Sequence, residues 1–212
     1  DFWLGTSLDM SKVFVAPNTT EVEPVEIVPE KKKNLLFVGT LYRGKGVDKL
    51  LASVKDVVQK GYRDAHLTIV GDGECRNELE DYVAENGIQD NVTFAGAVFD
   101  EKVLAGYFAE ALLCISPTQG GLSCPKSMGY GVPFVTRKDA ITGGEIYHIT
   151  PGVNGILYEQ DEDLTTIIEE SCKNPEKFIK MGVAAKEYYD NHATIRHMAA
   201  GAMAAFEYAL KN

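Results

Sequence analysis

The sequence predicts an α/β fold, a doubly wound parallel sheet with a helical C-terminus. Three observations lead there. Apolar runs of strand length alternate with segments of ten or more residues at helical periodicity, an order that parallel sheets with crossover helices use. The runs close on glycine turns, at Gly39, Gly71-Asp72-Gly73, Gly96 and Gly120-Gly121. After Asp161 the apolar residues recur at helical spacing to the end of the chain.

The elements follow in order. Lys12-Val13-Phe14-Val15-Ala16 reads as a strand stopped by Pro17-Asn18, and residues 19–33, rich in Glu, Pro and Lys, read as an exposed connection. Residues 1–33 are therefore assigned to the end of a linker with a hinge strand, and 34–212 to one domain. Leu35–Val38 is a buried type of strand, and Val47, Leu50, Leu51, Val54, Val57 and Val58 form the stripe of an amphipathic helix. His66–Val70 is the second strand; residues 74–86 are a helix with Leu79 and Val83 on one face and Gly87 as its C-cap. Val92–Phe94 is the third strand, 99–110 a helix, and Leu112–Ile115 the fourth strand. Turn residues 116–121 then lead into a short helix, Leu122–Tyr130, ended by Gly131. Phe134–Thr136 and Gly155–Tyr158 complete the strands. Leu164, Ile167 and Ile168, then Phe178, Ile179 and Val183, mark two helices, and an alanine-rich segment at about 190–211 reads as one long terminal helix.

Composition narrows the function. A net charge of −10 argues against nucleic acid as a partner, while a phosphorylated small ligand needs only a local cation. The four cysteines, Cys75, Cys114, Cys124 and Cys172, match no zinc or redox spacing and read as reduced thiols of a cytoplasmic protein. His66, His148, His192 and His197 form no HExxH pattern, so no metal site is expected; His148 reads as a loop residue, His192 and His197 as part of the terminal helix. No apolar run is long enough to cross a bilayer. The opening at Asp1-Phe2-Trp3, without Met, suggests a piece of a longer protein.

In a parallel sheet ligands bind beyond the carboxyl ends of the strands, which draws attention to residues 39–46, 71–73, 96–98 and 116–122. Gly120 and Gly121 precede a helix N-terminus, where backbone N–H groups face outward and no side chain bars an anion or a sugar hydroxyl. Gly71-Asp72-Gly73 lacks the third glycine of a dinucleotide fingerprint and reads as a structural turn, which disfavours a nicotinamide dehydrogenase.

Several stretches together resemble the C-terminal, nucleotide-sugar-binding domain of glycosyltransferase family 4, one Rossmann-like half of the GT-B fold. They are SKVFVAPN (11–18), VGTLYRGKGVDKLL (38–51), HLTIVGDGECRNELE (66–80), NVTFAGAV (91–98), GYGVPFV (129–135) and NGILY (154–158). The resemblance expects a pair of glutamates across the glycine turn, one of which holds the ribose; Lys126 and a position near Thr118 stand there instead. An ammonium cannot accept the ribose hydrogen bonds. SPTQGGLSCPKSMGYGVPFV and GEIYHITPGVNG resemble a subgroup of polysaccharide-assembly transferases.

The resemblance implies a retaining transferase that needs no cofactor and no metal, with a UDP- or GDP-type sugar as substrate. Its acceptor glycan, polysaccharide or lipid-linked, would bind in an N-terminal domain that also carries any peripheral contact with the inner face of the membrane. Lys45, with Arg43, would stabilise the leaving diphosphate. Gly39, Thr40, Gln119, Gly120, Gly121, Leu122, Ser123, Lys126 and Glu145 would contact the substrate, and Gly96 and Ala97 the base. A nucleotide-sugar epimerase of the same fold and a non-catalytic transferase-like subunit are the alternatives.

Overall fold

The computed structural model describes residues 9–28 and 31–211. Residues 1–8, 29–30 and 212, parts of the linker and domain assignments that include the opening Asp1-Phe2-Trp3, lie outside the described residues. Six strands, β1 (Asn34–Val38), β2 (Leu67–Val70), β3 (Val92–Gly96), β4 (Ala111–Ile115), β5 (Phe134–Arg137) and β6 (Gly155–Tyr158), form one sheet in the order β3-β2-β1-β4-β5-β6. Every pairing is parallel, with Leu35 opposite Leu67 and Cys114 opposite Phe134. Between and after the strands run α1 (Val47–Gln59), α2 (Arg76–Glu85), α3 (Glu101–Glu110), α4 (Ser123–Gly129), α5 (Asp161–Lys173), α6 (Pro175–His192) and α7 (Ile195–Lys211).

The continuous apolar runs have a direct cause. β2 and β4 are buried at every position because helices cover both faces of the sheet. Along β1, Leu35 and Phe37 join a core with α1, α2 and α5, while Leu36 joins the other core with α3, α4 and α6, the two-residue alternation of a strand. Phe108 stacks on Tyr130 in that second core, ring centroids 4.9 Å apart. The GDG turn is a packing device. A Cβ on Gly71 would sit 1.9 Å from the Gly39 carbonyl oxygen, and one on Gly73 2.3 Å from that of Leu41. The main chains after β1 and β2 are in contact, and Leu41 N–H donates to Asp72 O at 2.9 Å.

Three sequence expectations are corrected. Lys12–Ala16 is not a strand: Met10–Lys12 is a 3-10 turn capped by Asp9, and Val13–Ala16 pairs with no strand among the described residues. β-forming residues make a strand only against a partner, and this run instead lies on α7, where a Cβ on Gly201 would meet the Val15 carbonyl oxygen at 2.0 Å. The connection at 19–33 is not exposed throughout. Glu21, Glu23 and Glu26 face solvent, but Thr19 and Lys32 are buried, and Val22 and Val25 pack on the second core. The terminal helix does not begin at about 190. α6 holds His192, and the chain breaks at Ala193-Thr194 before α7. Buried Ala193 directs its carbonyl to the Thr19 hydroxyl, a contact that no local residue signals.

Candidate ligand site at the carboxyl edge

β1 and β4 are neighbours whose chains leave in opposite directions, β1 toward β2 and β4 toward β5. This is the switch point of a doubly wound sheet, where a crevice opens beyond the strand ends. The loops at 39–46 and 116–122 flank it and are tied to each other. Thr118 Oγ1 donates to Gly44 O at 2.6 Å, and the Tyr42 hydroxyl donates to Gln119 Oε1. Gly46 is left-handed at φ +67°, and a Cβ there would lie 2.9 Å from Thr118 Cγ2. Only a glycine lets the loops approach this closely.

Lys45 closes a 3-10 turn, Arg43–Lys45, and its ammonium lies 3.7 Å from where a Gly39 Cβ would stand. It is half-buried, and burial pushes its pKa below the ordinary lysine value. Among the described residues no carboxylate pairs with it. The neighbouring cations differ. Arg43 is exposed and bonded to Glu78 of α2 at 3.0 Å. Lys126 is clamped by both oxygens of Glu101 at the start of α3, at 2.8 and 2.6 Å. Thr40 is exposed beside Gly39.

Across the crevice, Gly120 is buried and Gly121 borders open space, with no heavy atom within 4 Å of a Cβ placed on it. The N–H groups of Gly121 and Leu122 meet no protein acceptor among the described residues, and Ser123 opens α4. Glu145 is buried in a 3-10 turn, Glu145–His148. Its Oε1 accepts from Asn18 Nδ2 at 2.6 Å and its Oε2 from Gly143 N–H at 2.7 Å. His148 belongs to the same turn and is buried against Asn18 O at 3.2 Å, so it is not the loop histidine the sequence suggests. Gly96 ends β3, two strands from β1, and Ala97 follows it. The Gly96 carbonyl accepts from Gly71 N–H at 2.8 Å.

The structure thus ties the loop of Gly39 and Lys45 to the loop of Gln119, Gly120 and Gly121, and turns Arg43 and Lys126 toward acidic neighbours. Sequence reasoning missed Asn18, read there as a strand stop, and Thr118, the clasp between the loops. Among the described residues no cluster of three or more His, Cys, Asp or Glu could hold a metal, and no helix is long and apolar enough to cross a membrane.

Strand order and the all-parallel sheet define a Rossmann-like domain with its switch point between β1 and β4. The chain belongs to the family described as glycosyl transferases group 1, which residues 32–174 match. A Haemophilus influenzae protein named as an uncharacterized glycosyltransferase is 31% identical over 176 residues, 74% of this chain and 46% of that protein. The 2-deoxystreptamine glucosyltransferase of Streptomyces kanamyceticus is 24% identical over 211 residues, 94% of this chain and 54% of that enzyme. The chain thus spans about half the length of these curated relatives. Among solved structures, a point mutant of S. aureus TarM, in complex with fondaparinux, alpha-GlcNAc-glycerol and UDP, shares the fold. Its TM-score is 0.78 at 18% identity, over 96% of this chain and 41% of that one.

Proposed function

We propose that this chain is the donor-binding domain of a retaining glycosyltransferase. The full protein would move a hexose or related sugar from a nucleoside diphosphate, of UDP or GDP type, to a polysaccharide or lipid-linked acceptor. The observation that carries the reading is Lys45, a half-buried ammonium without a carboxylate partner among the described residues, at the switch point of a glycosyl transferases group 1 chain. The UDP complex of TarM, a protein with the same fold, supports a nucleoside diphosphate as the ligand class.

The chemistry follows from charge. When the bond from the anomeric carbon to the β-phosphate breaks, the electron pair stays with the diphosphate. A fixed cation at the departing oxygens lowers that barrier, and Lys45 would supply it. The outward N–H groups of Gly121 and Leu122 would hold the β-phosphate or the sugar. Glu145, its oxygens already oriented by Asn18 and Gly143, keeps lone pairs for sugar hydroxyls. Gly96 and Ala97 would border the base through their main chain. Arg43 and Lys126 would reach a phosphate only by leaving Glu78 and Glu101. The main acceptor site, and any peripheral contact with the cytoplasmic face of a membrane, would belong to the rest of the protein. The chain by itself would bind nucleotide and transfer nothing.

Calorimetric titration with UDP, GDP and ADP tests this. One nucleoside diphosphate should bind, and Lys45→Ala should weaken it roughly 10–100-fold, the range of a charge-assisted hydrogen bond to phosphate. A folded chain that binds none of the three overturns the reading.

A further inference from the structure

A cavity of about 680 Å³ lies between the 15–18 segment, the 143–148 turn and the junction of α6 with α7. Asn18, Tyr147, His148, Tyr188, His192 and His197 supply its side-chain polar groups and rings. Its size falls in the range of about 300–1,000 Å³ typical of small-molecule pockets.

Among the described residues the lining contains no Lys, Arg, Asp or Glu, although these make up 25% of the chain. Four other cavities all carry formal charge, from Lys33, Arg63 and Asp64 in one to Lys49, Asp56, Lys60, Asp161 and Glu162 in another. An anionic ligand would enter the 15–18 cavity without a fixed counter-charge and beside the Glu145 carboxylate that Asn18 and Gly143 hold, at a desolvation cost. An uncharged ligand with hydroxyl groups meets no such penalty.

The rings are arranged for it. Tyr188 packs edge-on to His148 and tilted on His192, with centroids 5.9 and 5.0 Å apart. The hydrogen-bond partners assign the roles of two of the three imidazoles, His148 and His197. His148 Nε2 faces the Asn18 carbonyl and must donate to it, which leaves Nδ1 as an acceptor in the neutral ring. His197 Nδ1 accepts from the Thr194 backbone N–H at 3.4 Å, which leaves Nε2–H as a donor. A hydroxyl both donates and accepts, and aromatic faces suit the C–H face of a sugar ring.

Position adds the role. Gly143 and Gly144 line the cavity and begin the turn that carries Glu145, and Asn18, another lining residue, holds Glu145 Oε1. We propose that this cavity is a saccharide subsite that holds a neutral sugar unit of the acceptor beside the donor site. The saccharide class rests on the lining alone; its assignment to the acceptor rests on the donor-site reading above.

Saturation-transfer NMR on the chain tests the subsite, with the methyl glycosides of glucose, galactose, mannose and N-acetylglucosamine as neutral probes and methyl glucuronide as the charged one. Tyr147→Ala and His192→Ala remove exposed cavity rings and leave the core intact. The expected result is signal from at least one neutral glycoside, retained at saturating UDP and lost in both variants. No signal from any neutral glycoside, signal unchanged in both variants, or preference for the glucuronide overturns the proposal. UDP titration of the same samples separates the two readings. Glycoside binding without UDP binding leaves the saccharide subsite standing and removes the donor site; UDP binding without glycoside binding does the reverse.

Discussion

Two lysines bracket β1 and lead different lives. Lys32 precedes the strand at the amino edge of the sheet, and Lys45 follows it at the carboxyl edge. Burial lowers the pKa of both. Lys32 Nζ lies 3.3, 3.4 and 3.2 Å from the carbonyl oxygens of Ala111, Tyr130 and Gly131. Its three N–H groups meet three acceptors, two of them orphan carbonyls at the end of α4. Lys45 pairs with no carboxylate among the described residues and faces the main chain of Gly39. One edge is therefore complete within the chain, while the other presents a cation and outward N–H groups that a bound anion would complete. A buried charge without partners is costly, and a ligand that neutralises it recovers part of that cost on binding.

The contrast breaks most visibly at the glycines. If the carboxyl edge keeps its shape because main chain packs on main chain, Gly71→Ala should be the most damaging change. Its Cβ would lie 1.9 Å from Gly39 O at a φ of +149°. The expected loss is above about 3 kcal/mol in urea unfolding, or failure to fold. Gly121→Ala, with open space around its Cβ, should stay within about 0.5 kcal/mol of the parent and still weaken nucleotide binding. A Gly71→Ala protein as stable as the parent would refute the packing account.

Next in size is a double dissociation between the lysines. Lys45→Ala should lower nucleotide affinity roughly 10–100-fold with little change in Tm. Lys32→Ala should cost about 1–3 kcal/mol of stability, because it orphans buried carbonyls, and leave affinity unchanged. Thermal unfolding and calorimetry on the same two variants decide it. A Lys45→Ala variant that loses stability but not affinity would make both lysines structural.

Much of the fold was legible because burial on both faces writes strands as unbroken apolar runs, as in Leu112–Ile115. The same rule misread Lys12–Ala16, whose apolar residues have no strand beside them among the described residues. The glycines and Lys45 stood out because a crevice at a switch point needs small residues and a cation in known loops. What stayed hidden is long-range. Asn18 and Glu145 meet across 127 residues, and Glu101, which neutralises Lys126, comes from a different helix. Lys32 sat in a charged stretch and read as solvated, because composition does not reveal three carbonyls converging from β4 and α4. At the break between α6 and α7, Thr194 caps α7 through His197, while the bond from Thr19 to the Ala193 carbonyl comes from 174 residues away and is not written in the helices' own sequence.

The smallest expected effect is the pH slope that Lys32 contributes at the amino edge. Burial lowers Lys32 from the ordinary 10.5 to about 8. Between these values the unfolded chain holds the proton more tightly than the folded one, so stability from this group rises with pH. The gain should be roughly 1 kcal/mol between about pH 7.5 and about pH 9. Buried thiols act in the opposite sense. Cys114 is pushed up to about 12 by burial from an ordinary 9.0, so the unfolded chain ionises first and stability falls with pH. The comparison must therefore be a difference. Urea unfolding of the parent and of Lys32→Met across this range shares the thiol contribution and differs only in the lysine. The parent should gain on the variant as pH rises. Parallel curves would mean that Lys32 keeps an ordinary affinity for its proton, and that its three carbonyls solvate the ammonium as well as water does.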